Sequence, residues 1–264
     1  MKFAIYQMDI VPGDPQANRE KVKNWVEDVC TEQKPDTLML PEMWTTGYTL
    51  PILDQIAERE DGETFHFLSQ LAKRYQVNFV AGSIATKLER GIVNRALVFD
   101  RQGECIYHYD KMHLVPMLKE PDYLVGGQEP LKTFTLDGHV CGLFICYDLR
   151  FPELARQLAL NKAEIVFVPA EWPDERKIHW GVLQQARAIE NQMYMITANR
   201  VGEYDDVIFA GKSAVTNPWG DQLAVGTFNE EETLHVEINL SKVPEIREAV
   251  PVFKSRVPHL YEIK

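Results

Sequence analysis

Short apolar runs that read as strands alternate along this chain with longer segments whose apolar residues return every three or four positions, and this limits the fold to helices layered on sheets. The opening run FAIYQMDI is followed by DPQANREKVKNWVEDVCTEQ, where Val22, Trp25, Val26 and Val29 share one helical face, and then by TLML. A second helical segment, TFHFLSQLAKRYQ, leads into NFVAGSIAT, IVNRALVFD and ECIYHYD, the last two joined by a turn at RQG. The second half repeats the scheme. FTL turns at Asp137-Gly138 into HVCGLFIC, a helix starts near Phe151-Pro152-Glu153, and EIVFVPA, the helical WGVLQQARAIENQ and MYMITANR follow. Hairpin-like runs at SAVTNPWGDQLAV, turning at Pro218-Trp219-Gly220-Asp221, and at TLHVEINL complete it. The expectation is an α/β chain, residues 1–264 forming a single domain of two similar halves. Residues 250–264, with Pro251 and Pro258, are expected to form an extended C-terminal arm over the surface or onto a partner subunit.

Partners are narrowed by charge. With 28 Lys and Arg against 39 Asp and Glu, a net charge of -11 and no basic cluster, nucleic acid is excluded as the expected partner. Gln7 and Asp9 interrupt the first apolar run before it reaches signal-peptide length, and no run approaches the ~18 apolar residues of a membrane span. Four single cysteines, Cys30, Cys105, Cys141 and Cys146, form no CxxC pair and suit a reduced, cytoplasmic setting. Cys141 and Cys146 are placed on one strand at an odd separation, facing opposite ways, and are not expected to pair.

Polar chemistry interrupts the packing pattern in three places. Glu42 follows Pro41 at the end of TLML, where α/β sheets bind ligands. Lys111, in Asp110-Lys111-Met112-His113, closes the strand CIYHY. Cys146 ends a strand just before a helix start, where backbone N–H groups favour a thiolate and an oxyanion. Taken singly, each has a plain alternative: an exposed carboxylate, a solvated lysine, a small core residue.

Together, PEMW, YDKMHL and ICYDLRFPE, with IYQMDIVPGDPQANREK before them and EWP, HW and ARAIEN after, resemble the carbon–nitrogen hydrolase family, also called the nitrilase superfamily, over essentially the whole chain. The resemblance implies a four-layer α-β-β-α sandwich and a triad of Glu42 as base, Lys111 as oxyanion donor and Cys146 as nucleophile. Glu120 takes the place of the second glutamate many members carry, in an unusual Leu118-Lys119 context. It implies a homo-oligomer, expected as a dimer, and chemistry that needs neither metal nor organic cofactor.

Motif wording in LPEMW, YDKMHLVPM, ICYDLRFPE and PAEWP is closest to the ω-amidase-like branch, which deamidates 2-oxo acid amides. An N-carbamoyl amino acid hydrolase, another amide or nitrile hydrolase, and a catalytically silent binding protein on the same fold are the alternatives. Tyr147 supplies a backbone oxyanion donor, and Tyr48, Arg150 and Trp172 are the nearest candidates for a far carboxylate. Arg150 is read first as a salt-bridge partner of Glu153, Trp172 equally as an aromatic pocket wall, and Arg187 with Glu190 as helix anchors.

Overall fold

The computed structural model describes residues 1–261. In chain order its strands are β1 (Lys2–Gln7), β2 (Thr37–Met39), β3 (Glu58–Arg59), β4 (Asn78–Leu88), β5 (Gly91–Phe99), β6 (Cys105–Asp110), β7 (Phe134–Leu136), β8 (His139–Leu143), β9 (Ile165–Ala170), β10 (Tyr194–Asn199), β11 (Glu203–Tyr204), β12 (Val207–Ile208), β13 (Ala214–Thr216), β14 (Gln222–Val225) and β15 (Glu232–Glu237). The helices are α1 (Pro15–Glu32), α2 (Leu53–Ile56), α3 (Glu63–Tyr75), α4 (Pro152–Leu160), α5 (Lys177–Asn191) and α6 (Lys242–Ala249).

Local chemistry sets these limits. Asp14 caps α1 by accepting from the Ala17 N–H at 2.9 Å, and Pro15 occupies the first turn, where its missing N–H costs nothing. Pro152 opens α4 in the same way. Both α3 and α5 end on a left-handed glutamine, Gln76 and Gln192.

Two sheets carry the fold, and they share one plan. The first runs β15-β1-β2-β4-β5-β6, with β3 beside β4, and the second runs β7-β8-β9-β10-β13-β14 when read in the matching direction. In each, three central strands are parallel, β1, β2 and β4 in one and β8, β9 and β10 in the other. Antiparallel strands flank them on both sides.

Alternation along a strand separates two cores. From β1, Phe3 and Ile5 point between the sheets and join Leu143, Ile165, Phe167 and Ile196. Phe3 and Phe167 meet across that gap with ring centroids 6.1 Å apart. Ala4 and Tyr6 point the other way, onto Val22, Trp25 and Val26 of α1 and Leu68 and Leu71 of α3. Helices α4 and α5 cover the second sheet through Leu154, Leu158, Trp180 and Ala188. The result is the α-β-β-α sandwich expected from the resemblance; each fully buried aliphatic or Phe side chain in it contributes roughly 1.5–3 kcal/mol.

Several expectations change. The strand through Cys146 ends at Leu143, and Cys146 has φ of +47°, a left-handed conformation no strand tolerates, so the opposite-face argument for Cys141 and Cys146 does not apply; both are free thiols. Helix α6 falls in a segment given no element by the sequence pattern, where Pro244 and a single buried residue, Val243, leave little periodicity. Of the predicted arm, residues 262–264 lie outside the described residues. The rest is largely exposed turn and 3₁₀ helix, with Phe253 against the guanidinium groups of Arg156 and Arg247 of the same chain at 5.5 and 5.2 Å. Among the described residues no helix is long and apolar enough to cross a membrane.

Candidate active site

Glu42 lies three residues beyond β2, and the route there is built by a defect in β4. Between Val80 and Ser83 the β4–β5 register slips, with Gly82 at φ +60°. This lets Ser83 take over the neighbouring loop: its N–H donates to the Pro41 carbonyl at 3.2 Å, and its Oγ and carbonyl accept from the N–H groups of Met43 and Trp44 at 2.9 and 3.2 Å. A Cβ on Gly82 would stand 1.9 Å from the Pro41 oxygen. Gly82→Ala combines about 1–2 kcal/mol for a left-handed Cβ with a further cost of about 1–3 kcal/mol for overpacking. We expect it to lower unfolding free energy by about 3 kcal/mol and to displace Glu42. Denaturant unfolding and kcat check this; a variant matching the parent in both would show that the loop is not held from β4.

At the end of this route Glu42 is fully buried among four donors. Its Oε1 accepts from the Lys111 ammonium at 2.8 Å, the Asn94 amide at 2.7 Å and the Tyr48 hydroxyl at 2.9 Å, and its Oε2 from the backbone N–H of Glu171 at 2.7 Å. Lys111 follows β6 and is fixed through its own N–H to the Asn94 carbonyl at 2.9 Å. Its ammonium also donates to Glu120 Oε1 at 2.7 Å and to the Tyr48 oxygen at 3.1 Å. Glu120 is placed by left-handed Lys119 and held through Oε2, which accepts from the Val115 N–H at 2.6 Å. The Tyr48 hydroxyl also lies in hydrogen-bond contact with Glu120 Oε1, which puts it inside the ion network.

Cys146 is held opposite by Asp148, two residues on. Asp148 is fully buried and accepts from the Ile145 N–H at 3.0 Å, the Tyr109 hydroxyl at 2.9 Å and the His113 N–H at 3.1 Å, with the His113 ring 2.8 Å away. The turn carrying the cysteine is thereby tied to the segment carrying Lys111. Arg187 of α5 donates to the Leu149 carbonyl at 3.1 Å and pairs with Glu190 at 3.0 Å, in keeping with its expected anchoring role.

Burial and these neighbours set the resting charges. Burial alone pulls the Lys111 ammonium down, but Glu120 and Glu42 overcome it and hold the amine well above its ordinary value. Burial raises the Glu120 carboxyl, with Lys111 pulling it back. The Cys146 thiol is pushed well above the usual cysteine range, first by burial and then by the Glu42 charge, with Lys111 opposing. Two carboxylates and a dry surround outweigh the turn's N–H groups, so the thiol rests protonated and needs a base such as Glu42 to take its proton.

Tyr147 and Arg150 leave the same turn. The Arg150 guanidinium lies 4.6 Å from the Trp172 ring and 5.8 Å from the Tyr147 ring, and its Nη groups are 3.3 Å from His179 Nδ1. Among the described residues it forms no ion pair, with Glu153 or any other carboxylate, so the structural salt-bridge reading fails. Trp172 is buried with its indole N–H donating to the Arg176 carbonyl at 2.9 Å, so it offers a ring face. Sequence reasoning assigned no role to Asn94, Asp148, Glu171 or Arg200: Asp148 and Glu171 lie inside the quoted motifs ICYDLRFPE and PAEWP, while Asn94 and Arg200 lie outside every quoted motif and reach the site through strand order.

A buried carboxylate, ammonium and thiol thus meet at the strand ends of a four-layer sandwich, the constellation that the sequence resemblance assigned to carbon–nitrogen bond hydrolysis. The family description Carbon-nitrogen hydrolase matches residues 2–248. The chain is 43% identical over 264 residues to the Hydrolase in agr operon of Staphylococcus aureus, covering 99% of this chain and 100% of that one. It is 39% identical over 263 residues to the 2-oxoglutaramate amidase of Bacillus subtilis, covering 99% and 100%. Among solved structures, a CN-hydrolase superfamily protein of Xanthomonas campestris, carrying an arsenic adduct in its active site, matches with TM-score 0.90 at 26% identity over 100% and 99% of the two chains. The chain belongs to the carbon–nitrogen hydrolase family.

Proposed function

We propose that this enzyme hydrolyses the terminal amide of a 2-oxo dicarboxylic acid monoamide, 2-oxoglutaramate or 2-oxosuccinamate, through a thioester on Cys146. As Sγ attacks the amide carbon, Glu42 takes the thiol proton, which a resting neutral thiol requires, and passes it to the leaving nitrogen. Lys111 and the backbone N–H of Tyr147 receive the developing oxyanion, and Glu120 keeps Lys111 aimed. One such donor contributes about 10²–10³ in kcat. Ammonia departs, a water activated by Glu42 attacks the thioester carbon, and the acid leaves with the thiol restored.

The observation that carries the substrate is Arg150. A guanidinium lying over Trp172 four residues from the nucleophile, with no carboxylate partner among the described residues, suits the far carboxylate of a small diacid monoamide. The similarity to a 2-oxoglutaramate amidase supports the same class. Ammonia release should be measured from 2-oxoglutaramate, glutamine, an N-carbamoyl amino acid and a simple nitrile. Turnover of the carbamoyl compound or the nitrile alone would replace the substrate while leaving the chemistry. A charge-assisted hydrogen bond is worth about 1.5–3 kcal/mol, so Arg150→Gln should raise KM for 2-oxoglutaramate about 10- to 100-fold while leaving a neutral amide unaffected. An equal change for both substrates would remove Arg150 from carboxylate recognition.

A further inference from the structure

The shared plan of the two sheets puts β2 and β9 in the same place, as the middle strand of the parallel set. Each leads into a buried glutamate: Leu40-Pro41-Glu42-Met43-Trp44 follows β2, and Glu171-Trp172 follows β9, whose last residues are Val168-Pro169-Ala170. Each glutamate is fully buried with a fully buried cation, Glu42 with Lys111 at 2.8 Å and Glu171 with Arg200 at 3.0 Å. The two pairs meet where the Glu171 N–H donates to Glu42 Oε2 at 2.7 Å. Of the four donors on Glu42, this one alone comes from the second half of the chain.

What holds that N–H in place is the second pair. Arg200 follows β10 and donates from Nη2 to the Ile10 carbonyl at 3.0 Å and from Nε to the Val201 carbonyl at 2.9 Å, with its guanidinium 4.3 Å from the Phe209 ring. It thus ties the strand end that bears Glu171 to the segment leaving β1 in the other sheet. Asn199 fixes the next residue, accepting from the Trp172 N–H at 2.7 Å. We infer that Glu171 and Arg200 form a second buried ion pair, the second-half counterpart of Glu42 and Lys111, whose task is to fix the orientation of the Glu42 carboxylate from across the sandwich. The inference rests on Glu42 acting as the base. Neither residue is assigned contact with substrate; they are positioning residues, and a 1 Å error in a proton acceptor is enough to cost about 10²-fold in rate.

The experiment compares Glu171→Gln, Arg200→Gln, Arg200→Lys and the double variant Glu171→Gln/Arg200→Gln, with competent sites counted by iodoacetamide labelling of Cys146 and Cys146→Ala as control. Burial raises the Glu171 carboxyl to about 8 against the pull of Arg200, so Glu171→Gln, which keeps the shape and an acceptor for Arg200, is compared with the parent at pH 9, where the parent carboxylate is ionised, and it decides the matter if Arg200→Gln fails to fold. We expect each single Gln variant to lower kcat per site about 10-fold or more with KM changed less than about 3-fold. The double variant should be no worse than the poorer single, because residues that act as a unit do not add, and Arg200→Lys should recover most of the loss. Unchanged kcat per site would overturn the inference, as would a rise in KM at constant kcat, which would mean contact with substrate. Activity remaining in Cys146→Ala would instead remove the proposed reaction itself.

Discussion

Cys146→Ala should reduce amide hydrolysis by about 10⁴-fold or more while changing unfolding free energy by no more than about 1 kcal/mol. The asymmetry follows from the site. The other groups around Glu42 are an ammonium, a primary amide, a backbone N–H and a phenol already in hydrogen-bond contact with two carboxylates, so none replaces a thiol as nucleophile. Deleting the sulfur removes a group whose ionisation the surroundings oppose, which leaves the folded state little changed. For the same reason iodoacetamide should label Cys146 slowly at neutral pH and faster as pH rises. Rapid labelling at pH 6 would show a stable thiolate and contradict the role given to Glu42. Ammonia release at the parent rate from Cys146→Ala would end the covalent mechanism.

Lys111→Met should be nearly as damaging to activity and far more so to the fold. The ammonium separates the Glu42 and Glu120 carboxylates, all three groups being fully buried. Removing one partner of a buried ion pair costs about 3–5 kcal/mol, and loss of the oxyanion donor lowers kcat about 10²–10³-fold or more. The pH dependence of the loss has a definite sign. Burial already raises the Glu120 carboxyl, and the opposing effect of Lys111 disappears in the variant. A carboxyl raised in the folded state binds more protons there than in the unfolded chain, so stability falls as pH rises from the unfolded carboxyl range toward the folded one. Urea unfolding at pH 5.5 and pH 8 should therefore show a smaller deficit at the lower pH. Equal deficits would mean that the two carboxylates do not face each other uncompensated.

How far the sequence reached depends on what each residue answers to. Val22, Trp25, Val26 and Val29 repeat at helical spacing, so α1 was readable, and FAIYQMDI was readable as a first strand, whose two covered faces, Phe3 and Ile5 against Ala4 and Tyr6, the structure adds. Glu42, Lys111 and Cys146 stood out through their motifs, and the fold brings the Glu42 and Lys111 side chains into direct contact, with Cys146 sensing both charges. Glu120 needed the resemblance, because nothing local says that left-handed Lys119 turns its neighbour inward. Glu171 was hidden for a different reason. It lies in the quoted motif PAEWP, but the motif gives it no role, and only strand order, a property of the whole chain, puts its N–H on Glu42. The end of β8 at Leu143 was misplaced because apolar composition continues through Ile145, whereas the chain direction changes at Cys146.

Three carboxylates and two cations, Glu42, Glu120, Glu171, Lys111 and Arg200, are removed from water in one region of the molecule. Replacing buried ionic groups by well-packed apolar ones is often neutral or stabilising by about 1–4 kcal/mol. A selection for heat resistance alone would thus favour variants that swap these charges for methionine, leucine and tyrosine together, and it would recover durable proteins that no longer turn over substrate. On the proposed mechanism catalysis is what keeps the charges there, so thermal screening of this enzyme should be coupled to ammonia release from the first round.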